Sequence, residues 1–277
     1  MLKSVAMKSA IVAGLGLASI QSYAAFEPLS DSGTPVLRQC TGIPDPVTGI
    51  APTPTQCEVA STPIPDTSLN GAASGSAFPG QAGTWALVAA QTGVAISANG
   101  SNVGTLEDRV WKRVGSTEHI FGMKISLNSG LWTEPTDDNL GLINTDGGCN
   151  GQTGQQFEVN DMFRNGYTGK TGLTVAFRES TNAPSEEGLF VSGRTQQGRA
   201  VVPVGGDAAR DNDWVNFRTD ANFADPDPTT RGNTKWMYVK TTSTKLTWSV
   251  TPSALRLEEG GEEGQCKYRI TLSGFIP

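Results

Sequence analysis

Residues 266–273 read Cys-Lys-Tyr-Arg-Ile-Thr-Leu-Ser, and this strict alternation fits one kind of backbone. In an extended chain, successive side chains point to opposite faces. Cys266, Tyr268, Ile270 and Leu272 then share one face, and Lys267, Arg269, Thr271 and Ser273 share the other. A helix would scatter both sets around its circumference. The same period recurs in residues 119–128, where His119, Phe121, Met123, Ile125 and Leu127 fall together. It recurs again in 173–178, with Leu173, Val175 and Phe177. Half-buried strands of antiparallel sheets carry this pattern.

Further strands are expected near 84–90, 94–99, 107–114, 187–194, 199–204, 213–219, 235–242 and 246–251. Residues 255–259 pair with the strand from Cys266 through a loop at 260–264 that contains glycine. At its tip Glu258, Glu259, Glu262 and Glu263 read as a solvated charge run. One short helix is expected at residues 160–165, with Asn160 or Asp161 as N-cap and Gly166 as the stop. Many short strands with Gly-marked turns predict a mainly β chain. The expected architecture is an antiparallel β-sandwich of jelly-roll or Ig-like kind, with a barrel as second choice and at most one or two short helices.

The N-terminus predicts export. Residues 1–9 carry Lys3 and Lys8 and no acid, residues 10–20 are apolar and small, and Ser22-Tyr23-Ala24 offers a cleavage site. These are the marks of a secretory signal peptide over residues 1–24, in a bacterial style. The apolar run is about half the ~20 residues needed to cross a bilayer. Residues 25–83 are rich in Pro, Thr, Gly and Ser, which predicts an extended segment with a small disulfide loop, ending in a flexible joint. Residues 84–277 form the single β-rich domain, roughly 190 residues, enough for one core.

Beyond residue 24 the chain holds 19 basic and 27 acidic side chains, a net charge of −8. That argues against a nucleic-acid partner, which needs a clustered basic surface, and disfavours anionic lipid. No second apolar run has membrane length, so no membrane span is expected. Four cysteines in an exported chain predict two disulfides, with three pairings open. The favoured pairing joins Cys40 with Cys57 locally and Cys149 with Cys266 across the domain.

Candidate sites follow from side-chain chemistry. Asp220, Asn222, Asp225 and Asp227 place four oxygen-bearing side chains within eight residues, with Asp211 and Asp213 just upstream. Calcium gathers six to eight oxygens, so this loop is the expected metal site, with an ordinary solvated turn as the competing reading. Asp137, Asp138, Asn139, Asn144 and Asp146 form a weaker cluster. His119, the single histidine, shares a strand face with Met123, a pair suited to Cu(I) but about 13 Å apart on a regular strand. Trp132, Trp214 and Trp236 are the candidate ligand-binding aromatics, with Trp132 expected on an exposed loop to stack on sugar rings. Carboxylate pairs for glycoside hydrolysis abound, for example Glu158 with Asp161 or Asp213 with Asp220. The first functional reading is a secreted or cell-surface, non-enzymatic β-sandwich in glycan, matrix or surface contact, stabilised by calcium. The alternatives are an exported polysaccharide hydrolase and a secreted metal-binding protein.

Overall fold

The computed structural model describes residues 26–32, 38–39, 76–78, 80–137, 149–178, 190–198, 208–223, 232–261 and 265–277. Among them the chain is all strand, with every pairing antiparallel. In chain order the strands are β1 (Glu27–Pro28), β2 (Arg38–Gln39), β3 (Ser76–Ala77), β4 (Thr84–Ala98), β5 (Ser101–Arg113) and β6 (Glu118–Leu127). They continue as β7 (Leu131–Thr133), β8 (Thr153–Gln156), β9 (Val159–Arg164), β10 (Thr174–Arg178), β11 (Phe190–Gly193) and β12 (Val215–Ala221). The last three are β13 (Trp236–Thr242), β14 (Thr251–Glu259) and β15 (Tyr268–Gly274). A seven-stranded sheet in the order β1-β10-β13-β6-β5-β4-β3 faces a six-stranded sheet in the order β15-β14-β9-β12-β11-β2, and β7 and β8 form a small ribbon. The fold is the expected β-sandwich.

Alternation explains how the two sheets meet. Leu106, Met123, Ile125, Val175, Phe177, Met237 and Val239 point inward from the seven-stranded sheet. Met162, Val215, Phe217, Leu255, Leu257 and Ile270 meet them from the six-stranded sheet. β4 and β5 turn through Asn99 and Gly100, both at positive φ (42° and 85°), the type I′ geometry that matches strand twist. The tail hairpin forms as expected, with Glu259 opposite Tyr268.

One charged pair lies inside the sandwich. Arg164 on β9 donates to the Asp108 carboxylate on β5 at 2.7 Å, and both side chains are buried. Its guanidinium also donates to the carbonyls of Phe275 and Gly122, at 2.5 and 3.3 Å. Asp108 in turn accepts from the Phe275 N–H at 2.8 Å and from Gln91 at 3.3 Å. Burial pushes the Asp108 carboxyl up, while Arg164, the Phe275 N–H and Gln91 pull it back.

Three expectations change. The helix expected at 160–165 is strand β9, buried at all six positions between β12 and β14. An isolated six-residue helix cannot recover its nucleation cost, whereas two flanking strands satisfy the backbone along both edges. The strand expected at 246–251 is a loop, and β14 begins only at Thr251. The third change concerns the segment before Thr84. Its described pieces are paired into the sheets rather than free: β1 and β3 form both edges of the seven-stranded sheet, and β2 forms one edge of the six-stranded sheet. Phe78 and residues 80–83 are likewise tied down, by Gln81 N–H to the Phe78 carbonyl and Trp85 Nε1–H to the Ala82 carbonyl. Covering exposed edges is a physical need of any open sheet.

That segment also closes a second core. On the outer face of the seven-stranded sheet, Trp85, Trp111, Trp236 and Tyr238 cluster with Phe26 and Phe78 from the N-terminal segment. Phe78 meets Trp111 and Tyr238 edge-on, each at 5.2 Å between centroids. Gly122 makes room beneath them, because a Cβ there would sit 2.7 Å from the Trp111 ring and 2.9 Å from that of Tyr238. Phe78→Ala is expected to cost about 3 kcal/mol, the low end for a buried Phe because the chain just after the two-residue β3 can partly collapse. Urea unfolding checks this, and a loss below about 1 kcal/mol would mean that the segment contributes little.

Candidate functional site

The densest group of buried charge lies on the outer face of the six-stranded sheet. The strand register sets Arg218, Asp161, Glu258 and Arg269 side by side across β12, β9, β14 and β15. Glu258 takes a two-pronged contact from Arg269, at 2.7 Å from Nε and 2.5 Å from Nη2. Asp161 accepts from Asn216 at 2.9 Å, and Arg218 Nε stands 3.7 Å from the same oxygen. Neither carboxylate has any solvent exposure. The backbone of Gly198 lies directly on them, and any Cβ at that position would overlap both carboxylates. Burial pushes the Glu258 carboxyl above its usual range, and Arg269, Arg256 and the Gly198 N–H oppose this. The row carries two acids and two bases, so it can neutralise itself without an added ion.

Its neighbours are equally engaged. Arg256 stacks 3.8 Å over the Trp214 ring, which meets Phe163 edge-on. Glu158, Asn160 and Glu259 form a second buried polar group. Asn160 donates to Glu158 and accepts from the Gly260 N–H, while Glu259 accepts from the Glu158 and Gly261 N–H groups. Glu258 and Glu259 are therefore not the solvated run expected from the sequence. The alternation of β14 does point Glu258 outward, but Gly198 covers that face, and nothing local to β14 signals the cover.

The residues singled out from the sequence are distributed differently. Asp211 and Asp213 precede β12, while Asp220 and Asn222 lie at its far end. Seven residues of extended chain put Asp213 and Asp220 roughly 23 Å apart, so the strand keeps the two halves of the expected cluster from converging. The Asp213 carboxylate is committed to the Gly166 N–H and to the N–H and hydroxyl of Thr168. Asp211 accepts from the Asp213 N–H. Asp225 and Asp227 lie outside the described residues, as do Asp138, Asn139, Asn144 and Asp146, and Asp137 is exposed. Among the described residues no three His, Cys, Asp or Glu side chains gather as a metal site.

The aromatic candidates are core residues, because their rings find apolar partners. Trp132 is 1 % exposed, set against Phe157 and Tyr268, which overturns its expected place on an exposed loop. Trp214 and Trp236 are also buried, Trp236 within the outer aromatic cluster. His119 and Met123 stay apart along the regular strand β6, with Met123 in the inter-sheet core. The His119 ring packs on Trp248, and its Nδ1–H pairs with the Thr117 carbonyl at 2.9 Å. Burial lowers its pKa. Cys149 and Cys266 are bonded as expected, and Cys40 and Cys57 lie outside the described residues.

One end of the sandwich has a different surface. The loop after β13 packs beside the β5–β6 turn through the Ser243 N–H to the Thr117 carbonyl. It carries Leu246, 86 % exposed, and Val250, with Val114 exposed on the adjoining turn. Lys245 lies in the loop, Lys170 donates to the Thr242 carbonyl at its start, and Lys112 stands opposite His119 on β5.

The fold and these sites define an antiparallel β-sandwich with a charge-compensated outer face and one apolar, basic end. No protein-family model matches the chain, and no curated protein or solved structure matches it either. Among the described residues, no helix is long and apolar enough to cross a membrane.

Proposed function

We propose that the protein is exported and serves as a non-enzymatic β-sandwich with a binding or structural role at an extracellular surface. Its partner in this reading is a glycan, a matrix component or another cell-surface molecule. One observation carries the non-enzymatic part: the acids best placed for catalysis, Asp161 and Glu258, are neutralised by Arg218 and Arg269 and covered by Gly198. A general acid must reach the bond it protonates. Here the protein's own backbone occupies the space where a substrate would sit.

A second reading, a polysaccharide hydrolase, draws on the same pair. A Cβ at Gly198 would lie 2.7 Å from Asp161 Oδ2 and nearer still to Glu258 Oε2, so these carboxyl oxygens are within about 5 Å, close to the spacing of retaining glycosidases. The upward shift of Glu258 also suits a general acid. The experiment that separates the two incubates the exported chain with insoluble bacterial and plant polysaccharides and measures retention and release of reducing ends. Retention without release is expected, in both the native chain and Glu258→Gln. Release that disappears in Glu258→Gln would replace the binding role with catalysis.

A further inference from the structure

We propose that the end of the sandwich formed by residues 243–250 and the 113–117 turn docks on an anionic phospholipid surface, with Leu246 inserting between headgroups that Lys112, Lys170 and Lys245 face. The inference rests on the binding role proposed above and names its partner. Of the five large hydrophobic side chains exposed among the described residues, three lie here: Val114, Leu246 and Val250. Leu246 is the most exposed of the five and stands at the tip of its loop.

Lys245 and Lys170 are held but not neutralised. Lys245 donates to the Ile276 carbonyl at 2.9 Å and lies 5.7 Å over the Trp248 ring. Lys170 donates to the Thr242 carbonyl at 2.9 Å. Carbonyls orient an ammonium without cancelling its charge. The acids nearby are already committed, Glu118 to Arg113 at 2.6 Å and Asp213 to the 166–168 backbone. A protruding leucine, a half-buried tryptophan behind it and lysines at the rim match the layering of a bilayer interface, with its hydrocarbon margin, aromatic belt and charged headgroups.

Other occupants fit less well. A protein partner of ordinary affinity needs about 800 Å² per side, far more than one loop tip offers. A second copy would set lysines against lysines. The overall negative charge of the chain does not rule out this contact, because screening limits charge effects to about 8 Å at physiological salt and the local cluster dominates at that range.

The test is co-sedimentation of the exported chain with phosphatidylcholine vesicles, with and without phosphatidylglycerol, at low and physiological salt. Binding is expected to require phosphatidylglycerol and to weaken with salt. Lys245→Ala is expected to weaken it about fivefold and Leu246→Asp about tenfold or more. Leu246 is almost wholly exposed, so its variant should unfold at the native temperature. Leu131→Asp, at an exposed position on the β7 ribbon, should bind like the native chain. Equal binding by Leu246→Asp, or no preference for phosphatidylglycerol, overturns the proposal. If the native chain is retained on polysaccharide yet ignores vesicles, the lipid partner is wrong and the binding role stands. Reducing-end release that needs Glu258 overturns the binding role itself.

Discussion

Arg164→Ala is expected to destabilise the protein by about 3–5 kcal/mol, the usual cost of removing one partner from a buried ion pair. The loss is large because Asp108 stays behind, fully buried, with only the Phe275 N–H and Gln91 as donors. Arg164 also holds the carbonyls of Phe275 and Gly122, so its removal loosens the contact between β9, β6 and the chain after β15. Urea unfolding should show a lower midpoint at unchanged slope. Arg164→Leu combined with Asp108→Leu is expected to recover most of the loss, because a buried pair can often be replaced by well-packed apolar groups. A single variant within about 1 kcal/mol of the native chain would mean that water or another group compensates Asp108.

Breaking the bond between Cys149 and Cys266 has an effect of similar size for a different reason. The two residues are 117 positions apart, so the cross-link closes most of the domain into one loop. The chain-entropy relation puts such a loop at about 4–5 kcal/mol, acting mainly on the unfolded chain. Cys266 is also buried, and its N–H is held by Glu134 at 2.9 Å, so the native side of the bond is well anchored. Replacing both cysteines by Ala should lower the melting temperature by about 8–20 °C. Reductant should then act on that melting temperature only through the bond expected between Cys40 and Cys57. A drop of less than about 2 °C would show that the unfolded chain is already compact without the bond.

Much of the sandwich was legible in local patterning. The alternation in β6, β10 and β15 names the face that turns inward, and the structure buries Phe121, Met123, Ile125, Val175, Phe177 and Ile270 there. The tail hairpin follows from spacing, and the disulfide across the domain is the favoured one of three pairings that the sequence leaves open. β9 was not legible, because six residues with Asn and Asp at their start resemble a capped helix turn. Only β12 and β14 on either side make them a strand.

The candidate sites were less legible than the fold. A cluster of Asp and Asn looks convergent on paper, yet β12 holds Asp213 and Asp220 at its two ends. The pair that does meet, Asp161 and Glu258, is 97 residues apart in sequence and is joined by strand register alone. Its burial depends on Gly198, from a third part of the chain.

Period-two patterning is a property of neighbouring residues, so the sequence alone determines the mainly β class and the buried faces of β6, β10 and β15. The cross-sheet pair Arg164 and Asp108, the covered acids on β9 and β14, and the basic rim around Leu246 each join residues brought together by sheet order. Register and packing are long-range contacts paid for in chain entropy, and only the folded structure decides which of them form.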